Sequence, residues 1–229
     1  MKTLVISLIL ILSMASFNPD SKPKILYVYD PLCGWCYGFS PVILKAQEKY
    51  KDQFDFEVIS GGMVVGERIG PIGKVAPYIK WAYKDVEKAA GVKFGENFLT
   101  GILEPGTAVF SSITPSVALS VFKAYQPDKS VLFASEIQKA IYFDGIEPEN
   151  KQSYGKYAEK FGIPPAEFVA ALSDRTFLKT ASEEFKLSSK LGVKGFPTVF
   201  ILKDGKYYQL TNGFVGFEQF DKAIQKFLK

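Results

Sequence analysis

The amino-acid sequence predicts an α/β fold in which one small sheet-containing unit is interrupted by a large all-helical insertion. Strand-like segments lie near both ends of the chain, and the long segment between them carries helical patterns throughout. We expect residues 22–72 to form the first half of the unit, residues 73–191 the insertion and residues 192–229 the second half. The chain has 229 residues, of which 47% are hydrophobic, so it can enclose a core of this size.

The first half of the unit is predicted to contain a strand, a helix and a second strand. Residues 24–30, KILYVYD, are mostly apolar with β-branched and aromatic members, which is typical of a buried strand. A helix is predicted at residues 42–50, and the alternation of apolar and polar side chains at residues 54–58 predicts the second strand. Gly61 and Gly62 end that strand.

The insertion is predicted to be a block of helices. The helical segments are residues 75–90, 115–125, 129–143, 152–161 and 166–191, the last with a break near Asp174. No internal repeat and no low-complexity linker interrupts them. We therefore expect a helical block inserted into the small α/β unit.

The second half is predicted to add a hairpin and a final helix. Residues 198–202 form a strongly β-prone segment, Asp204 and Gly205 are typical of a hairpin turn, and residues 206–210 form the returning strand. A helix follows, because its apolar residues fall three and four positions apart and can cover the sheet. These residues are Phe217, Phe220, Ile224 and Phe227.

The first 15 residues are typical of a signal peptide. Lys2 supplies a positive charge, residues 4–12 are apolar apart from Ser7, and the segment ends in Ser13-Met14-Ala15. The apolar run is too short for a membrane span. We expect cleavage after Ala15, with an uncleaved anchor as the alternative, and a periplasmic or otherwise exported protein with no stable membrane insertion after cleavage.

The composition excludes several kinds of chemistry. The chain has no histidine, which removes Ser-His-Asp triads, Cys-His pairs and histidine-ligated metals. Two cysteines cannot form a four-thiolate metal site within one chain. We expect no metal and no other cofactor. The net charge of +4 comes from dispersed lysines, so nucleic-acid binding is not expected.

The two cysteines, Cys33 and Cys36, lie between the first strand and the first helix, separated by Gly34 and Trp35. This spacing allows an intramolecular disulfide, and a helix N-terminus favours the thiolate of the first cysteine. We expect Cys33 to be an exposed nucleophile and Cys36 the resolving thiol one helical turn inside. Asp30 is a candidate proton acceptor beside them, although an aspartate before proline also serves as a turn former.

Two structural interpretations of the cysteine pair compete with redox chemistry. One is a plain stabilising disulfide, which is disfavoured because so short a loop removes little entropy from the unfolded chain. The other is half of a zinc site shared across a dimer, which requires a symmetric contact between two such pairs. The position between a strand and a helix favours redox chemistry.

Three segments together resemble the DsbA family of thioredoxin-fold oxidoreductases, with the closest likeness to its FrnE-like or predicted disulfide-isomerase branch. They are residues 30–39 (DPLCGWCYGF), Gly61-Gly62-Met63 and Gly195-Phe196-Pro197-Thr198, the last following the long helical insertion. The resemblance runs from about Lys24 to the end of the chain. It implies a thioredoxin fold interrupted by the helical insertion.

The resemblance also implies a function and a site. The function is thiol:disulfide exchange with cysteine-containing polypeptides, together with a redox partner protein or small thiol of unknown identity. Cys33 would be the nucleophile, Cys36 the resolving cysteine and Pro197 a cis-proline, with Phe196 in contact with substrate. The match extends to Pro41 as a helix-kink proline, although an ordinary early-helix proline fits equally well.

The residues between the cysteines depart from the family's oxidase prototype, which has Pro-His there. Gly34 and Trp35 carry no charge, so Cys33 relies on the helix terminus and the couple should be less oxidising. The direction of electron flow stays open among oxidase, isomerase and reductase. Trp35 lies on the predicted turn and is expected to be exposed and to contact an unfolded or extended polypeptide.

Two functions of other classes stay open beside thiol:disulfide exchange. One is a substrate-binding or chaperone-like module whose disulfide is only structural. The other is a glutathione-dependent enzyme of the kappa transferase type, because these enzymes share the DsbA-like fold. No segment for dimerisation stands out, so we expect a monomer.

Overall fold

The computed structural model describes residues 22–228. The predicted signal peptide, residues 1–15, lies outside the described residues.

The described chain contains strands and helices that we number in chain order. They are β1 (Lys24–Tyr29), α1 (Gly34–Tyr50), β2 (Asp55–Ser60), β3 (Gly70–Pro71), α2 (Ala76–Ala90), α3 (Glu96–Phe98), β4 (Val109–Phe110), α4 (Ile113–Tyr125), α5 (Ser130–Tyr142), α6 (Gln152–Glu159), α7 (Pro165–Ala171), α8 (Arg175–Lys190), β5 (Thr198–Lys203), β6 (Lys206–Asn212) and α9 (Phe217–Leu228). Leu99–Leu103 forms a π-helical turn after α3.

The main sheet has four strands in the order β2-β1-β5-β6. β1 runs parallel to β2, with Tyr27 opposite Val58, and antiparallel to β5, with Tyr27 opposite Val199. β5 and β6 form the predicted hairpin. Its turn residues Asp204 and Gly205 have φ angles of 52° and 71°, the left-handed conformation that two-residue hairpin turns require.

The two faces of β1 pack against different layers, as the alternation of side chains along a strand dictates. Tyr27 and Tyr29 belong to the large core that the sheet shares with α1, α9 and the inserted helices. Leu26 and Val28 face the other side, where Leu187 of α8 packs against them. The dithiol segment therefore leaves the most buried strand of the sheet.

Two helices of the insertion cover the outer edge of β2. Lys123 of α4 and Glu184 of α8 form an ion pair at 2.6 Å, with side chains only 16% and 11% exposed. Glu184 also accepts the Ser60 main-chain N–H at 2.8 Å, and the Lys123 ammonium donates to the Val58 carbonyl. These bonds occupy main-chain groups that an edge strand would otherwise leave open.

The predicted elements are present, with two corrections. The first helix begins at Gly34 rather than near residue 42, because Cys33 acts as its N-cap and the intervening residues are helical in spite of Gly38 and Pro41. The insertion is not entirely helical. β4 lies within it and pairs with β3, Gly70 standing opposite Phe110, a two-residue contact too short for a sequence pattern to reveal.

Within residues 22–228, no helix combines the length and apolar character needed to cross a membrane. The same part of the chain holds no group of three or more carboxylate or thiol side chains placed to bind a metal ion.

Candidate active site

The loop from β1 to α1 places Cys33 at the N-cap of the helix. Cys33 has an extended backbone, with φ −93° and ψ 112°, and its Sγ accepts the Cys36 main-chain N–H at 3.4 Å. The Cys33 N–H donates to the Asp30 carbonyl at 3.1 Å, which closes the turn before the helix. The first sulfur thus receives one of the N–H groups that a helix N-terminus leaves unpaired, where negative charge is favoured.

Both cysteines are free thiols, and they differ in burial. Cys36 has no exposed surface, and Cys33 is only 7% exposed. The expectation of an exposed Cys33 was therefore wrong, because neighbouring side chains enclose the turn; Cys33 instead lines a pocket. Burial raises the pKa of the Cys36 thiol well above its ordinary value, and the adjacent Cys33 raises it further.

The Phe196-Pro197 segment lies against the dithiol from the start of β5. The peptide bond between these residues is cis, as the resemblance implied. The Cys33 thiol donates to the Phe196 carbonyl at 3.5 Å, so the main chain of Phe196 faces the sulfur. The Phe196 ring packs over Gly61, where a Cβ would stand 2.1 Å from its edge. The ring is thus part of the packing beneath the site.

The two residues between the cysteines both line the pocket. Trp35 is half-buried and packs on Phe214 with ring centroids 5.5 Å apart, so it is less exposed than expected. Gly34 begins α1, and a methyl group there would lie 3.7 Å from the Phe94 ring, an ordinary contact. Pro41 lies inside α1 on its exposed side, within the helix as predicted.

Asp30 is fully buried beside the dithiol. Its Oδ1 accepts the Leu32 N–H and the Ser112 hydroxyl, each at 2.9 Å, and its Oδ2 accepts the Met63 N–H at 2.6 Å. Burial raises the pKa of this carboxyl from 3.8 to about 6, and the hydrogen bonds from Met63 and Leu32 oppose that rise. Asp30 therefore joins the β1 turn to the loop after β2 and titrates near neutral pH.

A pocket of about 550 Å³ opens beside Cys33. Its walls are mostly apolar and come from both parts of the molecule, the inserted helix α2 supplying Tyr78 and Tyr83. Three charged residues, Glu67, Arg68 and Lys74, also line it. This volume is within the range of small-ligand sites, and it also suits side chains next to a reacting sulfur.

Gln138 of α5 was not identified from the sequence. Its side chain is fully buried against the first turn of α1, more than one hundred residues from the cysteines along the chain. It lies in a predicted helix where a single polar residue carries no distinguishing pattern. Only the folded contacts place it at the site.

The fold and the site define a thioredoxin-fold protein with a Cys-X-X-Cys dithiol at a helix N-terminus and a cis-proline beside it. The chain belongs to the DSBA-like thioredoxin domain family, whose model matches residues 24–225. It is a thiol:disulfide oxidoreductase of that family.

Two solved structures are similar over almost their whole length. The cytosolic disulfide reductase DsbM from Pseudomonas aeruginosa is 26% identical, with a TM-score of 0.76 over 90% of this chain and 98% of that chain. DsbM has also been solved with GSH. A candidate protein disulfide isomerase from Nitrosomonas europaea is 23% identical, with a TM-score of 0.79 over 91% of this chain and 98% of that chain. The second likeness concerns the fold alone.

One curated relative is the ClpXP adapter protein SpxH from Halalkalibacterium halodurans. It is 21% identical over 192 residues, which cover 80% of this chain. The alignment spans 60% of the relative's own length.

Proposed function

We propose that this protein is an exported thiol:disulfide oxidoreductase that exchanges disulfides with cysteine-containing polypeptides. The observation that carries the proposal is the different placement of the two sulfurs. Cys33 is the N-cap of α1 and lines the pocket, whereas Cys36 is fully buried one helical turn further on. Cys33 is therefore the nucleophile and Cys36 the resolving thiol.

The exchange proceeds in two steps. The Cys33 thiolate attacks one sulfur of a substrate disulfide, forming a mixed disulfide and releasing the other substrate sulfur as a thiolate. Cys36 then attacks the Cys33 sulfur, which forms the Cys33–Cys36 disulfide and releases the second substrate sulfur. Two electrons have passed to the substrate. The reverse sequence oxidises a substrate dithiol, and the reduction potential decides which direction prevails.

Asp30 is the proton acceptor of the second step in this proposal. Burial raises the pKa of Cys36, so its thiol must lose a proton as it attacks. The Asp30 carboxyl, with a pKa of about 6, is largely ionised at neutral pH and lies in the same buried turn. It is a general base of suitable pKa for work near neutrality.

The apolar walls of the pocket support the proposal that the substrates are polypeptides. A disulfide partner must bring its sulfur to Cys33, which places the flanking side chains against Trp35 and α2. The Phe196 carbonyl beside Cys33 adds a main-chain acceptor for an extended chain, while Pro197 has no N–H to offer.

Glutathione is a second candidate partner. DsbM, which is similar over most of its length, was solved with GSH, and the cations Arg68 and Lys74 in the pocket lining match the carboxylates of that tripeptide. A Cys36→Ser protein that keeps full turnover with glutathione would favour a glutathione-dependent enzyme, because such chemistry needs only one cysteine.

Export is supported by the sequence of residues 1–15, which has the charge, apolar run and small residues of a signal peptide. DsbM, in contrast, is cytosolic. Cell fractionation with N-terminal sequencing tests this part of the proposal: a mature chain beginning at Ser16 in the exported fraction supports it, and an intact cytosolic chain contradicts it. Sedimentation velocity on the same material tests the proposed monomer.

Trapping of the mixed disulfide between Cys33 and a substrate tests the roles of the two cysteines. Cys36→Ser should accumulate a mixed disulfide through Cys33 with a cystine-containing peptide, and Cys33→Ser should accumulate none. Equilibration with glutathione then gives the direction. A potential between about −120 and −200 mV fits donors and isomerases of disulfides, and one near −270 mV fits a reductant. A disulfide that resists reduction below about −300 mV would make the bond structural and overturn the proposal.

A further inference from the structure

Gln138 is a fully buried amide on α5, a helix whose buried face is otherwise mostly apolar. Removing an amide from water is unfavourable unless it forms hydrogen bonds inside the protein. Gln138 therefore needs hydrogen-bond partners inside the protein, and its partners lie beside the two cysteines. Its neighbours Ile137 and Ile141 on the same helix are equally buried and have no polar group to place.

The amide contacts the main chain of the active-site turn. Its Nε2 lies 3.3 Å from the Asp30 carbonyl and 3.5 Å from the Cys33 carbonyl, while its Oε1 accepts the Ser40 hydroxyl at 2.8 Å. Asp30 directly follows β1, Cys33 is the N-cap of α1, and Ser40 lies in the second turn of that helix.

The other orientation of the same amide keeps it on this segment. The amide nitrogen then donates to the Cys36 carbonyl at 3.2 Å and to the Ser40 hydroxyl at 2.8 Å, and the oxygen accepts the Tyr37 N–H at 3.1 Å. In both orientations the inserted helix α5 is hydrogen-bonded to main-chain groups of the Cys33–Tyr37 turn or the residues flanking it.

We propose that Gln138 is a positioning residue for the dithiol, holding the first turn of α1 so that Cys33 Sγ stays in reach of the Cys36 N–H. That hydrogen bond is 3.4 Å long. A hydrogen bond to sulfur is stronger when the sulfur is a thiolate, so the arrangement stabilises the reduced protein more than the disulfide. The proposal holds for exchange in either direction.

The test replaces Gln138 by methionine, which is similar in length and lacks both hydrogen-bonding groups. The measurement is the equilibrium constant for protein disulfide plus two GSH giving protein dithiol plus GSSG. Gln138→Met should lower this constant by about threefold to tenfold, and a tenfold change corresponds to about 30 mV toward a more negative potential.

A purely structural role makes a different prediction. Gln138→Met would then lower the unfolding free energy of the oxidised and reduced proteins equally, leaving the equilibrium constant unchanged, and the proposal would fail. If Gln138 positions the dithiol, Gln138→Met lowers the unfolding free energy of the reduced protein more than that of the oxidised protein. The difference between the two losses should correspond to the fold-change in the glutathione equilibrium constant. Denaturant titrations of both redox forms measure this difference independently.

Ile141→Val is the matched control, since it removes one buried methyl group from the same helix. It should lower stability in both redox forms and leave the equilibrium constant within about 1.5-fold of wild type. Should Gln138→Met fail to fold, Ser40→Ala removes one partner of the amide from the α1 side. A smaller decrease in the constant is then expected, and no decrease contradicts the proposal.

Discussion

Among single residues, Asp30 combines complete burial with a charge that changes near neutral pH. Its carboxyl accepts two main-chain N–H groups and the Ser112 hydroxyl, yet burial outweighs these bonds and sets its pKa at about 6. Removing a carboxylate from water is costly even when donors surround it. The protein therefore holds a buried acid whose charged form is disfavoured by the fold.

The first prediction concerns the effect of Asp30 on stability. A carboxyl whose pKa is raised by folding binds its proton more tightly in the native state. Its stabilising contribution is therefore full below the unfolded pKa of 3.8 and is lost as the pH rises through the folded pKa of about 6. This pKa difference corresponds to about 3 kcal/mol of unfolding free energy.

Urea titrations of wild type and Asp30→Asn between pH 4 and pH 7.5 measure this loss. The wild type should lose about 2.4 kcal/mol relative to the variant across that range, because only the wild type can ionise at this position and its unfolded carboxyl is already about half ionised at pH 4. Other carboxyls cancel in the difference, and the chain has no histidine to add a titration in this window. A difference between the two proteins that does not change with pH would contradict the assigned pKa.

The sequence predicted those site residues that belong to a recognisable local motif. The spacing of Cys33 and Cys36 placed both at the start of a helix, and the resemblance of the Gly195–Thr198 motif placed Pro197 beside them. Ser112 and Gln138 reach the site through contacts made 82 and 108 residues from Asp30 along the chain, and neither type of side chain is distinctive. The burial of Cys33 was mispredicted for the same reason, because distant elements enclose its turn.

At the scale of elements, the edge strand β2 depends on helices inserted far along the chain. Its Val58 carbonyl and Ser60 N–H are bound by Lys123 and Glu184, which also pair with each other. An edge strand with free main-chain groups can pair with another chain. The insertion thus supplies hydrogen-bond partners to two main-chain groups at the edge of the sheet that it interrupts.

The second prediction is that Glu184→Ala destabilises the protein by about 2–4 kcal/mol. The change leaves the Ser60 N–H and the largely buried Lys123 ammonium without this partner. Urea denaturation, analysed with one m-value for wild type and variants, measures the change in unfolding free energy. Glu183→Ala is the control from the next position of α8, where the pair with Lys179 spans 3.9 Å and is well exposed. Glu183→Ala should lower the unfolding free energy by less than about 0.5 kcal/mol. An equal loss in both variants would contradict the role of Glu184 in binding the edge of β2.

Elements were predicted where a local pattern sufficed. The alternating segment of β2, the Asp204-Gly205 turn and the apolar stripe of α9 each follow from the period of a strand or helix. The start of α1 was placed late because Gly38 and Pro41 weaken the helical pattern there, whereas the N-cap bond at Cys33 is visible only in the folded chain. The β3–β4 pair is too short to leave a pattern.

Across the whole molecule, the reactive sulfur comes from the small α/β unit and much of the pocket wall comes from the insertion. Tyr78, Ile79 and Tyr83 of α2 face the pocket that Cys33, Gly34 and Trp35 line from the other side. In the proposed function, the dithiol supplies the chemistry and the inserted helix α2 favours disulfides that are flanked by apolar side chains.

The last prediction tests this division through Tyr78, which is 56% exposed and lines the pocket. Tyr78→Ala should lower kcat/KM about tenfold for a cystine peptide with aromatic residues beside the sulfur, because about 1.4 kcal/mol of apolar contact is lost. Turnover of glutathione disulfide, which has no aromatic side chain, should change less than about twofold. Tyr125→Ala is the control, because Tyr125 is 44% exposed at the end of α4 and does not line the pocket. Equal losses with both disulfides would show that Tyr78 supports the reactive centre itself, and the assignment of selectivity to the insertion would be wrong.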